Sequence, residues 1–312
     1  MIVIGAGICG LAAAYELARR GHEVVVLERG EPGGEQSAGL GRIFRTAHGQ
    51  ARLCALALEA REGWRRWEDE LGVRLLGQEQ MVVAAPRPAI GPAMSEAGAA
   101  WRTLSRDEIA VLIPFCDPSW EHALLDPAAG SLRIRRAIAA LASRVTIRRA
   151  EVVAVGDGVV SLADGTELRA DAVLVCAGRW TPSLSGLDFG VTFSDHVRYT
   201  YASGASSACL ICPEGYGLPL GSTGRWAFGQ DVPDPDQVRV LFPRLSEPVA
   251  EVRCVNVHAP WLDEGGDGWH AIRRGRVLAF MGANLMKFGP VLGDRLARSV
   301  LAGDLHPDLT SP

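Results

Sequence analysis

The chain has 312 residues, 48% of them hydrophobic, and a formal net charge of −4. That length supports one large α/β unit or two domains with a substantial core. No basic block points to nucleic acid, no apolar run is long enough to span a bilayer, and the apolar start lacks the basic region of a signal peptide.

In chain order, the first element is a short apolar strand over residues 2–4. Gly5, Gly7 and Gly10 follow in G-x-G-x-x-G spacing, then a run of good helix formers, LAAAYELARR, that ends at Gly21. A second strand, EVVVLE, ends in Glu28, 18 residues after Gly10. The spacing has a physical reading. Gly5 permits a tight turn, Gly7 lets the backbone approach a pyrophosphate, and Gly10 lets helix and strand pack closely. The helix N-terminus faces the phosphates, and Glu28 is placed to accept hydrogen bonds from ribose hydroxyls.

Residues 51–71 read as an amphipathic helix whose Trp64 and Trp67 belong to the core. Residues 80–85 and 196–204 read as strands. The stretch 152–170 is a β-meander with turns at Gly156-Asp157-Gly158 and Asp164-Gly165. Residues 172–176 are a further strand closing on Ala177-Gly178. A Rossmann half, a meander and a strand closing on small residues is the wiring of FAD-binding domains. The lack of a second G-x-G-x-x-G speaks against a separate NAD(P)H domain. The seven cysteines, an odd number, read as reduced thiols in a cytoplasm and not as a disulfide framework. Cys209 and Cys212 alternate in a strand and lack the further ligands that zinc requires, so no metal site is expected.

Of the 32 lysines and arginines, a single one is lysine, Lys287, in the glycine-broken stretch FMGANLMKFGPVLGD. Pro290 suits the first turn of a helix that follows. A lysine is a compact charge whose pKa moves on burial, unlike the always-protonated guanidinium fork.

Four further stretches carry a family resemblance: SAGLGRIFRTAHG (37–49), LLDPAAGSLRIRRAIAALA (124–142), VRCVNVHAP (252–260) and KFGPVLGDRLA (287–297). With the Rossmann start, they resemble the FAD-dependent amino-acid oxidase superfamily, nearest its monomeric sarcosine oxidase and N-methylamino-acid oxidase branch. The separation of Cys254 and Lys287, 33 residues, matches that branch. The expected fold class is α/β, a Rossmann-type FAD-binding domain (1–74, 126–184 and 262–312) with a smaller antiparallel-sheet substrate domain of α+β type (75–125 and 185–261).

The resemblance implies oxidation of the C–N bond of an amino acid or carboxylate-bearing secondary amine to an imine, by hydride transfer to flavin N5. It implies that Lys287 and Arg45 hold the substrate carboxylate and that Arg42 lies nearer the flavin ring. It implies a flavin bonded covalently through Cys254, with Arg253 beside it to favour the thiolate. Ile8, Cys9, Arg29, Ser37, Val153, Ala177, Gly178, Trp180, Gly282 and Ala283 complete the expected cofactor cradle. Asn256 stands where the family has a tyrosine, and with Tyr201 and Trp226 it is expected to line the substrate pocket. Dioxygen is a candidate acceptor. The family's second lysine is absent from 217–232, where Arg225 is the substitute, and Asp231 falls near a family histidine. His48, His196, His258 and His270 read as ordinary polar or loop histidines. Two alternatives stand beside this reading: an FAD monooxygenase of an aromatic substrate, suggested by Gly293-Asp294, and a flavin-binding protein with a decayed site. A monomer or dimer is expected.

Overall fold

The computed structural model describes residues 1–115, 120–202, 206–220, 223–230 and 235–310. Asp231 lies outside the described residues. The chain opens with β1 (Ile2–Ile4), α1 (Ile8–Arg19) and β2 (Val25–Glu28). Then come β3 (Arg42–Phe44), α2 (Ala51–Leu71), β4 (Gln80–Ala84), α3 (Ile90–Glu96), β5 (Arg102–Ser105), α4 (Arg106–Leu112) and β6 (His122–Asp126). After β7 (Gly130–Leu132), α5 (Ile134–Ala142) and β8 (Thr146–Arg149), the meander forms β9 (Val152–Val155), β10 (Val159–Leu162) and β11 (Glu167–Arg169). β12 (Val173–Val175) and α6 (Thr181–Ser185) precede β13 (Thr192–Tyr201), β14 (Ala208–Cys212), β15 (Gly215–Pro219) and β16 (Trp226–Gln230). The chain closes with α7 (Pro235–Leu241), β17 (Pro248–His258), β18 (Gly268–Arg274), β19 (Val277–Ala283), a 3-10 turn (Leu285–Phe288) and α8 (Gly289–Ala302).

Two large sheets carry the molecule. One has six strands in the order β18-β19-β12-β1-β2-β8, parallel except for the β18–β19 hairpin. Its short strands are buried on both faces, which is why they read as unbroken apolar runs. On one face lie α1, α2, α5 and α8; on the other lies the three-stranded meander. The second sheet has eight strands, β17-β13-β16-β15-β14-β4-β6-β5, antiparallel apart from the β14–β4 pair. It draws its strands from 80–126 and 192–258.

Long antiparallel strands alternate their side chains between two faces. In β13 and β16 one face sends Val197, Tyr199, Tyr201, Trp226 and Phe228 into an aromatic core shared with Phe115 and Phe242. The opposite face carries His196, Arg198 and Thr200 of the same strand. Cys209 and Cys212 fall into the cores on opposite faces of β14, as alternation requires, so they do not form a ligand pair.

Helices α1 and α8 cross closely. A Cβ on Gly293 would lie 2.7 Å from the Ala12 methyl, so only glycine allows this approach. Pro290, in the first turn of α8, packs equally tightly on Gly63 of α2. Trp64 and Trp67 are fully buried beside this crossing, and burying each contributes on the order of 3 kcal/mol. Asp294 is ion-paired with Arg20, which caps the C-terminus of α1, and with Arg295 and Arg298 of its own helix. Gly293-Asp294 is therefore part of a helix crossing and an ion cluster, not a ribose site. The motif that suggested a monooxygenase has a packing explanation.

Candidate active site

One cavity of about 1570 Å³ runs from the glycine turn after β1 to the space between β17 and the 3-10 turn that carries Lys287. It exceeds the volume of an ordinary small-ligand pocket, roughly 300–1,000 Å³, as a dinucleotide requires.

The end nearest β1 is built for a pyrophosphate. Gly5 has φ +98°, and a Cβ there would lie 2.5 Å from the Cys176 carbonyl oxygen. A Cβ on Gly10 would lie 2.0 Å from the Gly5 carbonyl oxygen. Gly10 therefore does its work beneath the turn and is not among the cavity-lining residues. No side chain caps α1 at Gly7, and Ser37 Oγ accepts from the Ile8 N–H at 3.1 Å, leaving the helix end facing the cavity. Glu28 accepts from the Ala6 and Gly30 amides, each at 2.8 Å, which fixes its carboxylate at the cavity wall. At the rim, Trp180 lies between the guanidinium groups of Arg29 (3.8 Å from the ring centre) and Arg179 (4.3 Å). Val153, Ala177 and Gly178 complete this part of the wall. Burial pushes the Cys9 thiol up to about 12, so it is an apolar liner and not a nucleophile. The residues present fit FAD by shape and donor set.

At the far end, β19 reaches Gly282 and Ala283, and the chain turns at Asn284 with φ +57°, the left-handed conformation that asparagine tolerates. Its amide donates to the Gly266 carbonyl at 3.0 Å. Gly282 is obligatory, because a Cβ there would lie 2.4 Å from the Gly268 carbonyl oxygen. The 3-10 turn then presents Lys287, which lines the cavity while only 4% exposed. Trp64 Nε1 holds the Lys287 carbonyl at 2.9 Å. Lys287 Nζ donates to Asp267 Oδ1 at 2.7 Å and to the Asn284 carbonyl at 3.0 Å. Arg45, just after β3, donates to Asp267 Oδ2 and to the Ala47 carbonyl. His48 Nδ1 lies 3.0 Å from the same Asp267 oxygen, but off the hydrogen-bond line. His48, Asp263 and Asp267 are close enough to suggest a metal cage. The ammonium and guanidinium already engaged by Asp267 take the place a cation would need.

The remaining wall comes from the eight-stranded sheet. Cys254 and Asn256 of β17 line the cavity, as do His196 and Tyr216, whose side chains meet at 3.2 Å with rings stacked at 5.8 Å. Arg42 donates to the carbonyls of Gly41 and Gln36, both at 3.1 Å, and Arg198 donates to the Gly41 carbonyl at 3.3 Å. Among the described residues neither guanidinium meets a carboxylate. Burial and the neighbouring Arg198 push Arg42 down to about 10. Burial pushes the Cys254 thiol up, opposed by Arg42 and Arg198.

The cavity thus gathers Gly5, Gly7, Ile8, Cys9, Glu28, Arg29, Ser37, Arg42, Arg45, Val153, Ala177, Gly178, Trp180, Cys254, Asn256, Gly282, Ala283 and Lys287. It does not gather Tyr201 or Trp226. Both are fully buried on the opposite face of the sheet, the consequence of strand alternation. Arg253 is turned out as well: it pairs with Glu251 at 2.9 Å, away from the thiol of its neighbour. Arg42 and Arg198 supply the positive charge beside Cys254 instead. Arg225 is exposed and does not line the cavity, so the buried cation of this sheet is Arg198. His48 and His196 belong to the site's surroundings, and His258, also at the wall, meets Ser194 Oγ at 2.7 Å. Only His270 stands apart, against Phe189 and Trp261. Asp267, Asp263 and Arg198 escaped the sequence reading. For Arg198 a signal existed, since apolar Val197, Tyr199 and Tyr201 on one face force it onto the other.

A dinucleotide cradle joined to a cation-lined chamber defines a flavin-dependent oxidoreductase. The family described as FAD dependent oxidoreductase (DAO) matches residues 1–278, and the chain belongs to it. Monomeric sarcosine oxidase of Bacillus sp. (strain B-0618) is 27% identical over 293 residues, covering 81% of this chain and 75% of that protein. Peroxisomal sarcosine oxidase of Mus musculus is 27% identical over 205 residues, 59% of this chain and 51% of that one. Among solved structures, the open form of NikD, described as an unusual amino acid oxidase essential for nikkomycin biosynthesis, has a TM-score of 0.83 at 21% identity, covering 99% and 96% of the two chains. Glycine oxidase from Geobacillus kaustophilus has a TM-score of 0.78 at 18% identity, covering 100% and 97%. These structures share the fold. No helix among the described residues is long and apolar enough to cross a membrane.

Proposed function

We propose that this FAD-dependent oxidoreductase oxidises the C–N bond of an amino acid or other carboxylate-bearing amine to an imine. The observation that carries the reading is the pairing of a buried Lys287 and a largely buried Arg45 at the cavity wall, both with N–H donors to spare. Bound FAD supplies the two-electron acceptor. The chain supplies position and charge. Lys287 and Arg45 grip the carboxylate and so fix where the neighbouring C–H points, an orienting effect worth several kcal/mol. The same cations lower the pKa of the bound amine, so it reacts in its neutral form without a dedicated base. The sheet of β13–β17 and the 3-10 turn close the chamber on either side.

The finer assignments belong to this reading. Cys254 holds the flavin through a thioether: burial raises its thiol, and the guanidinium groups of Arg42 and Arg198 oppose that rise. That buried cation pair also suits dioxygen as electron acceptor, because preorganised positive charge stabilises the anion formed on one-electron reduction. The six described cysteines are free thiols, which supports a reducing compartment such as the cytoplasm.

The test is an anaerobic screen of amines and amino acids, following loss of the oxidised-flavin absorbance, and then admission of air. Bleaching by a carboxylate-bearing amine and recovery in air are expected. Bleaching by NADPH and by no amine would replace this reading with the monooxygenase. For the thioether, acid-precipitated protein keeps its yellow colour and Cys254→Ala releases it to the supernatant. Release from the unaltered protein removes the covalent assignment.

A further inference from the structure

Asp267 is fully buried in the turn before β18 and takes no part in the dinucleotide cradle. A carboxylate withdrawn from water is costly unless cations and hydrogen bonds compensate it, and here they do. One oxygen accepts from Lys287 and the other from Arg45, with His48 alongside. We propose that Asp267 is the positioning residue of the substrate-carboxylate site: it fixes Lys287 and Arg45 side by side on the cavity wall and keeps the Lys287 ammonium charged where water does not reach. The proposal rests on the amine-oxidation reading and says how that site comes to select acids.

An ammonium has three N–H groups, and Lys287 commits one to Asp267 and one to the Asn284 carbonyl. A guanidinium has five, and Arg45 commits one to Asp267 and one to the Ala47 carbonyl. The committed donors anchor both side chains. The uncommitted ones are left for a ligand oxygen.

Burial lowers Lys287 to about 8; Asp267 opposes that fall, and Arg45 deepens it. Asp267 itself stays ionised well below the ordinary carboxylate range: burial raises it, but the charges of Arg45 and Lys287 outweigh burial. Burial and Arg45 push His48 down to about 3, so it is a neutral imidazole. From the same loop, Asp263 is raised by burial and by Asp267, and it spends one oxygen on the Gly265 and Asp267 amides at 2.8 and 2.7 Å. From α2 the lysine meets Trp64 through its backbone carbonyl. Without the Asp267 charge, two buried cations repel, and the lysine releases its proton because arginine does not.

The experiment is calorimetric titration of the FAD-loaded protein with methoxyacetate, a carboxylate with no amine to oxidise, from about pH 6 to about pH 10. For the unaltered protein, affinity is level below about pH 8 and falls above it, since only the ammonium form grips the ligand. Asp267→Asn is expected to bind at least about 10-fold more weakly at pH 8, with its fall-off moved about one pH unit or more downward. Asp267→Glu restores the charge, so its fall-off returns to the unaltered position with a lower plateau. Superimposable curves for the unaltered protein and Asp267→Asn overturn the proposal. A uniform loss with the fall-off unmoved also overturns it, since that is the signature of packing alone. If Asp267→Asn does not fold, Asp267→Glu decides: a displaced fall-off overturns the assignment. If the unaltered protein does not bind methoxyacetate, the amine-oxidation reading fails and takes this inference with it. In every other overturning outcome the unaltered protein binds normally, so the two failures are told apart.

Discussion

Two pairs of cations lie at one cavity, Lys287, Arg45 and Arg42 on its wall and Arg198 buried beside Arg42, and they are held in opposite ways. Lys287 and Arg45 share the carboxylate of Asp267. Arg42 and Arg198 share only the Gly41 carbonyl, and among the described residues no acid balances them. The first pair is compensated before any ligand arrives, so it is rigid and can orient a substrate. The second carries a standing electrostatic cost that an incoming anion relieves. A grip for a stable carboxylate needs the first arrangement. Stabilising charge that appears only during reaction suits the second.

That contrast can be broken by substitution. The largest effect expected is for Lys287→Met: about 1,000-fold weaker binding of methoxyacetate by calorimetry, as befits truncating a buried charge partner. Breaking the pair with Asp267 also lowers unfolding stability by about 3 kcal/mol in denaturant titration. Arg198→Met is expected to slow reoxidation in air by about 30-fold while leaving anaerobic bleaching by substrate within about 2-fold. Its stability stays level or rises, because removing one of two repelling guanidinium groups relieves the fold. A loss as large as that of Lys287→Met would mean the second pair is compensated after all.

pH sharpens the same comparison. A lysine near 8 is charged below that value and neutral above it, so carboxylate affinity drops up to tenfold per unit on the alkaline side. Arg42, near 10, keeps its charge across that range, so the air-reoxidation rate stays flat to about pH 9. Parallel declines of the two measurements would contradict the separation. The smallest effect is expected for Tyr201→Phe, on the far face of the sheet. Among the described residues its buried hydroxyl has no hydrogen-bond partner, so stability shifts by less than about 0.5 kcal/mol and ligand binding not at all.

What was legible in the sequence follows from how local each feature is. The glycine turn, α1, Glu28 and the helix after Pro290 are set by neighbours within a few residues, and each is found where the spacing places it. Lys287 stood out because it is the single lysine. Strand faces were harder. Tyr201 and Trp226 looked like pocket aromatics, but alternation says only that two faces exist, not which one borders the cavity. Arg253 misled for the same reason, one residue out of phase with Cys254. Asp267 was illegible: in DEGGDG it reads as a solvated turn acid, and only the meeting of residues 45, 48, 267 and 287 in space shows otherwise. The left-handed turn before the lysine is made by Asn284, a position that glycine counting alone did not mark.

The crossing of α1 and α8 ties both ends of the chamber to one bracket. The residues that open α1 line the glycine-turn end of the cavity, and the 3-10 turn bearing Lys287 runs directly into α8, whose Gly289 and Gly293 lie against Ile8 and Ala12. A methyl group added at Gly293 would act as a wedge, prising the hinge side of that bracket and loosening dinucleotide and acid together. On the proposed reading, Gly293→Ala is expected to weaken FAD retention and small-acid binding together, since both ends of the cavity rest on the same helix crossing.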